Sequence, residues 1–339
     1  MTLADATFDK HHYHKQISRL FTPVMGKFNR LLRTYVLFNF IFLFIALAEL
    51  FSFFAFFAFL SQSSLLAFTL AIFFLTLFSY FVVRLYLQTK KPEKLMDLCE
   101  DYIEQCKIMI HYQEGIPEHH IALANAAQKL STALHEKEYT YYRPPFFLSS
   151  LSTTLEKFSC FCHWKDLFRM RELLLSTTIE EHLKAVKCEP TNLEVHAALA
   201  NAYVMLSSLY ADPRKYYDMD EERWFPPERY SEEMQARFRI TAKRAIEEFK
   251  ILNDYAPDDP WVHVQLAYSY HDLQMPEEEI REYEIILKLR PNDNETLFKL
   301  GMLYFQQGMN AKGLRIYQML KQTHYKKAES LIKFYGSYE

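Results

Sequence analysis

Residues 257–323 read PDDPWVHVQLAYSYHDLQMPEEEIREYEIILKLRPNDNETLFKLGMLYFQQGMNAKGLRIYQMLKQT, and the stretch copies itself at a fixed offset. Pro257 recurs as Pro291, Leu266-Ala267 as Leu300-Gly301, Tyr270 as Tyr304 and Tyr283 as Tyr317, each pair 34 residues apart (291 − 257 = 34). The period suits two short antiparallel helices. A small residue lets their backbones approach, aromatics fill the gap to the next pair, and a proline closes the unit. One such pair cannot bury its own apolar face, so the chain must supply neighbours.

It supplies them upstream, with interruptions. Leu199-Ala200 and Tyr203 repeat the first helix; Ala245, Phe249 and Pro257 repeat the second helix and its closing proline. Further back, Ala122-Leu123-Ala124-Asn125-Ala126 reappears as Ala198-Leu199-Ala200-Asn201-Ala202, an offset of 76 (198 − 122 = 76), and Leu130-Ser131 is echoed by Leu206-Ser207. The second helix of this earliest unit is expected over Arg171–Lys187, ending at Pro190. Four units result, two interrupted and two regular. The pattern resembles the tetratricopeptide repeat (TPR) over roughly residues 114–323. It departs from that family where Trp is usual, at His120, His196, His263 and Leu297. It departs again at the small position of the second helix, which holds Thr178, Glu279 and Gly313.

The resemblance implies an α-solenoid whose first helices line a concave face that binds a partner protein or peptide. Its groove positions fall on Ile121, Asn125 and Gln128, on Ala197, Asn201 and Met205, on Val264, Tyr268 and His271, and on Phe298, Met302 and Phe305. Asn125 and Asn201, at one register of two first helices, are expected either to read a peptide backbone or to satisfy neighbouring helix ends. Tyr268, Met302 and Phe305 would supply apolar pockets. The family's carboxylate clamp needs a first-helix Lys where Ile121 and Ala197 stand, which disfavours that ligand.

Charge and apolar residues are unevenly placed along the 339 residues. Fifteen of the 29 Phe lie between Val36 and Tyr86. Residues 1–91 hold 9 Lys/Arg and 3 Asp/Glu, a net of +6; the remainder holds 39 − 9 = 30 basic and 42 − 3 = 39 acidic residues, a net of −9. A basic anchor before an acidic body argues for a membrane surface and against nucleic acid.

Residues 1–34 form a basic amphipathic segment, in which Ile17, Leu20, Phe21, Val24, Phe28 and Leu31 recur at helical spacing among Lys15, Arg19, Lys27, Arg30 and Arg33. That pattern predicts a helix along an anionic leaflet, with a bend or restart near Pro23; docking on the soluble domain is the alternative. Residues 35–60 carry a single charge, Glu49, and span ~39 Å as a helix, more than the ~30 Å hydrocarbon core requires. After a polar turn, Ser61-Gln62-Ser63-Ser64, residues 65–87 are uncharged until Arg84. Together 35–87 predict a transmembrane hairpin. Arg30 and Arg33 before it, and Arg84, Lys90 and Lys91 after it, place both termini in the cytoplasm. A carboxylate at the membrane centre costs ~2.5–3.5 kcal/mol, so Glu49 should be neutral or partnered, with Thr76 at matching depth. Self-association through Glu49 is the sharper possibility.

The array itself is expected over residues 92–323, opening with a helix whose stripe is Leu95, Leu98, Tyr102, Ile103, Cys106 and Ile110. Aromatic insertions fall near 137–168 and 208–231, the latter with Trp224-Phe225-Pro226-Pro227. They are expected to fold back on the array or to join a binding surface. A capping helix is expected within residues 324–339. Five Cys without a CxxC pair read as reduced thiols, and Cys160-Phe161-Cys162-His163 lacks a second ligand cluster. His11, His12 and His14 read as a solvated run. No catalytic motif, cofactor site or metal site emerges.

The fold expected is therefore all-α, a membrane hairpin followed by a TPR-like solenoid with two insertions. The function expected is a membrane-anchored protein-interaction scaffold without enzymatic activity, in a bacterial inner membrane. A secreted bacterial protein of the inclusion-membrane type, recruiting host proteins from a host-derived membrane, is the alternative. A transporter component is disfavoured because two helices enclose no pore.

Overall fold

The computed structural model describes residues 10–60, 65–142, 151–215 and 224–336. Among them the secondary structure is helical, with no strand. The helices are α1 (Lys10–Ala55), α2 (Phe57–Leu60), α3 (Leu65–Met109), α4 (Pro117–Ala133), α5 (Ser152–Cys188), α6 (Leu193–Tyr210), α7 (Glu232–Tyr255), α8 (Pro260–Asp272), α9 (Pro276–Leu289), α10 (Asn294–Gln306), α11 (Asn310–Gln322) and α12 (Ala328–Leu331). They belong to two compact bodies. The first is Met1–Thr178 with Pro213–Pro227; the second is Ile179–Asp212 with Glu228–Glu339.

The first body is built on α1 and α3, of 46 and 45 residues, which pack together. Both are long and apolar enough to cross a membrane, with mean hydropathy 2.3 over the apolar window. Neither stops where its apolar run stops. α1 runs unbroken through Pro23, so the bend or restart expected there does not occur. Its segment from Leu20 to Leu32 is also not free to lie on a leaflet. Val24, Phe28 and Leu32 are buried in one core with Leu95, Cys99, Tyr102, Cys106 and Ile110 of the α3 end and with Leu123, Leu130, Leu167, Met170 and Leu174. The amphipathic stripe found a matching stripe within its own chain. Residues 61–64 lie outside the described residues, as do the side chains of His11, His12 and His14.

α5 begins at Ser152, 19 residues ahead of the expected Arg171 (171 − 152 = 19). Nothing between those positions breaks a helix; the Pro144-Pro145 pair does so earlier. Much of the first insertion is thus an extension of the second helix. Within the first body, several described aromatics of the insertions fold back on one another. Tyr142 is buried beside Phe158 and His163, with ring centroids 5.0 and 5.9 Å away. The Tyr139 hydroxyl donates to the Trp224 carbonyl at 3.3 Å, and Phe161 packs on Trp224. Residues 143–150 and 216–223 lie outside the described residues.

In the second body three helix pairs, α6–α7, α8–α9 and α10–α11, follow one another through α7–α8 and α9–α10 contacts. Each first helix starts on an Asx cap two residues after a proline. Asn192 accepts from the Glu194 amide, Asp259 from that of Trp261, and Asp293 from those of Glu295 and Thr296. Close approach is visible at the small positions. A Cβ on Gly313 would lie 2.5 Å from the Phe305 ring, and one on Gly301 would lie 2.8 Å from Leu331. The C-terminal cap is shorter than expected: one α-turn, α12, then a 3-10 turn Ile332–Phe334. Leu331 is fully buried and closes the end of the core.

Candidate functional site

The expected groove positions divide between the two bodies. In the first, Asn125 is exposed on α4 while Ile121 and Gln128 are half-buried. In the second, Asn201 is exposed on α6 and Met205 is half-buried. Val264, Phe298 and Met302 sit half-buried at the edge of the C-terminal core. Tyr268 is 44% exposed and meets the next first helix through Lys299, whose Nζ donates to its hydroxyl at 3.0 Å and lies 4.8 Å from its ring centroid. His271 is exposed and pairs with Glu279 at 3.2 Å. That hydrogen bond, offset by partial burial, raises the His271 pKa above the ordinary imidazole value.

Phe305 departs from expectation. It is completely buried, filling the space left by Gly313, and it cannot offer a pocket to a partner. The glycine at the small position draws the ring inward. The second body leaves exposed or half-buried an amide at Asn201, a phenol-ammonium pair at Tyr268–Lys299 and the apolar side chains of Val264, Phe298 and Met302. These groups can hydrogen-bond a backbone and shelter small apolar side chains; none of them forms a nucleophile–base pair. No group of three or more His, Cys, Asp or Glu gathers as metal ligands among the described residues.

The histidines at the Trp position do more than fill space. His196 is buried with Nδ1 at 2.7 Å from Glu248 and Nε2 at 3.0 Å from the Pro190 carbonyl. His263 repeats the arrangement, with Nδ1 at 2.7 Å from Glu282 and Nε2 at 2.8 Å from the Pro257 carbonyl. Each imidazole ties a first helix to its second helix and to the loop carrying the closing proline. At His196 both ring nitrogens face acceptors, an arrangement only the protonated ring satisfies fully. Burial pulls the His196 pKa down, but the Glu248 hydrogen bond, the Pro190 carbonyl and the Glu248 charge together leave it raised. In the fourth unit Leu297 stands in that place and joins the apolar core with Ile316. In the first unit His120 meets the Tyr112 hydroxyl at 3.2 Å.

The outer halves of α1 and α3 form a second candidate region. Phe44, Phe51, Phe54, Phe74 and Phe78 are 66–76% exposed, with Phe51 the most exposed at 76%. The Thr76 hydroxyl donates to Glu49 Oε1 at 2.6 Å. Glu49 also borders a cavity of about 670 Å3 walled by Phe44, Phe53, Phe56, Phe59 and Phe73.

No protein-family model matches this chain, and no curated protein matches it. Solved structures with some likeness include TTC0263, a thermophilic TPR protein of Thermus thermophilus, at 16% identity over 62% of this chain and 99% of that one, TM-score 0.32. A monomeric IFIT1 mutant with Gppp-AAAA is similar at 13% identity over 75% and 68%, TM-score 0.35. The TPR2AB domain of yeast Sti1 in complex with pHSP90 is similar at 15% identity over 74% and 94%, TM-score 0.25. Scores this low carry no argument; the TPR-like helical solenoid stands on the 34-residue offsets and the helix pairs they produce.

Proposed function

We propose that this chain is a membrane-anchored interaction scaffold. The outer halves of α1 and α3 cross a bilayer as a hairpin, both termini stay on the cytoplasmic side, and the first-helix face of the second body binds a segment of a partner protein. The observation that carries the reading is the pairing of two apolar helices, exposed on nearly every side, with a helix-pair array whose first helices leave Asn201 and Tyr268 exposed. Apolar surface of that extent is stable in lipid and a liability in water. An array of helix pairs presents a peptide-sized face without catalytic groups.

Two measurements test it. Alkaline carbonate should leave the full chain in the membrane pellet, and cysteine accessibility should report residues 10 and 200 on one side; opposite sides would end the hairpin. Partner capture by crosslinking in native membranes should weaken when Asn201→Ala and Tyr268→Ala are combined, by on the order of 1–3 kcal/mol for buried hydrogen-bonding groups. Unchanged capture with intact helical signal would move the site off this face.

A further inference from the structure

Two cations line one small cavity in the first body, and among the described residues only one of them has an anion. The cavity, of about 150 Å3, is bordered by Tyr35, Asn39, Arg84, Gln88, Lys91 and His163. Lys91 is buried and fully satisfied. Its ammonium meets Asp166 at 2.7 Å, donates to His163 Nδ1 at 2.9 Å and to the Cys162 carbonyl at 3.1 Å, and lies 5.6 Å from the Tyr35 ring centroid. Burial, then the Lys91 charge, pushes the His163 pKa down to about 3, so the ring stays neutral and accepts through Nδ1.

Arg84 is treated differently. It is half-buried, and its Nη1 donates to the Tyr80 hydroxyl at 3.0 Å. Tyr80 in turn donates to Asn39 Oδ1 at 3.3 Å, and Asn39 Nδ2 donates to the Tyr142 hydroxyl at 2.6 Å. The chain of donors fixes the guanidinium at the cavity wall. No carboxylate among the described residues pairs with it. A partly buried guanidinium that donates once to Tyr80 leaves most of its five donors free to meet an anion. With Lys91 matched by Asp166, the lining carries one net positive charge.

We infer that this cavity takes a phosphate group, a phosphodiester monoanion, held by Arg84 with Asn39 and Gln88 beside it. Arg84 suits the geometry because its planar fork matches two phosphate oxygens, and Asn39 and Gln88 add amide donors. The place points to a source. Tyr35 and Asn39 open the first apolar run, and Arg84 and Gln88 stand at the end of the second, so on the hairpin reading above the cavity lies at headgroup level. The ligand is then the phosphodiester of a membrane phospholipid.

The test uses the full-length protein released in mild detergent, with retained phospholipid counted by native mass spectrometry. Wild type should keep one phospholipid, and Arg84→Gln should lower that occupancy about tenfold. Equal retention by both overturns the site. Stripped protein is then titrated separately with a short-chain phosphatidylglycerol and with inorganic phosphate. Binding of the lipid alone assigns the headgroup, equal binding of both assigns the phosphate chemistry to a soluble source, and binding of neither overturns the inference. Should Arg84→Gln lose helical signal, Arg84→Lys and Gln88→Ala replace it, and wild-type binding by both counts against the site. Carbonate extraction of wild type decides the hairpin independently, because the inorganic phosphate titration does not need a membrane.

Discussion

The inner and outer halves of α1 and α3 are made of similar residues and meet opposite surroundings. Phe28 and Leu32 are essentially inaccessible, whereas Phe44 and Phe51, farther along the same helix, are 75% and 76% exposed. The difference lies in what else is amphipathic nearby. Between Arg19 and Arg33 the apolar residues occupy one stripe, and α3 and α4 offer stripes that match it. From Ile41 to Ala55 the helix is apolar on nearly every side apart from Glu49 and Ser52, and it packs on α3, a helix of the same kind. A helix apolar on every side needs a surrounding apolar medium; a striped one needs only a neighbour. Continuity of the helices then joins the apolar outer half to the core without a linker.

The largest test of that contrast is a matched pair of truncations. Phe28→Ala should cost ~3–5 kcal/mol in denaturant unfolding of the detergent-solubilised chain, because it empties a closed core. Phe51→Ala should change the same transition by less than about 0.5 kcal/mol, since the site has no protein wall to lose. Similar losses at both would mean that the outer half is packed against something other than lipid.

How much of this was legible beforehand depended on whether a pattern names its own partner. The 34-residue offsets did, because a repeated small residue and aromatic imply a stack whatever the partner's details. The stripe at residues 20–32 did not, because a basic amphipathic helix fits a leaflet and a protein core equally well. The early start of α5 was hidden by treating aromatic density as a sign of loop, when only the proline pair interrupts the helix. The His–Glu ties were hidden by spacing, since insertion stretches the first separation to 52 residues against 19 in the next unit. One signal could have found them: His stands six residues after the closing proline in both units. At the face, register alone placed Phe305 outward, and the glycine opposite it decided otherwise.

A smaller effect sharpens the comparison from the packed side. Gly313→Ala puts a methyl 2.5 Å from the Phe305 ring, which must shift or expose itself. About 1–3 kcal/mol of destabilisation is expected from overpacking. A rise in accessibility of the Phe305 neighbourhood, read by hydrogen exchange across α10, should accompany it. An unchanged melt would show that the ring has room the packing does not suggest.

The His196–Glu248 tie should make the array's stability depend on pH. The folded-state pKa of His196 lies above its ordinary value, so its contribution is fully present below that value and fades as pH rises through the folded pKa. The array should therefore melt higher at pH 6 than at pH 8 through this group. Glu248→Gln removes the charged acceptor, should cost ~1–3 kcal/mol at the lower pH, and should flatten the dependence. A pH profile identical in wild type and variant would remove the tie from the account.

A small change is expected at Glu49, which accepts from Thr76 within the apolar outer half. Thr76 donates to Oε1, while Oε2 is buried without a partner among the described residues. If the hairpin crosses a bilayer as proposed, the pair fixes rotation of one helix against the other. Interhelical hydrogen bonds in membranes contribute only about 0.6 kcal/mol on average, because the separated helices find other partners. Thr76 has one ready, since a helical Thr hydroxyl can turn to the carbonyl four residues back. Glu49→Leu should thus leave the chain in the membrane and its melt within about 1 kcal/mol of wild type. What should change is orientation: crosslinks between cysteines placed at residues 45 and 80 should lose their face preference. A fall in oligomer size instead would assign Glu49 to contact with a second copy through the unpartnered oxygen. If insertion, crosslinks and oligomer size all stay the same, Glu49 neither orients the hairpin nor joins two of them, and the outer half is held by its aromatic contacts alone.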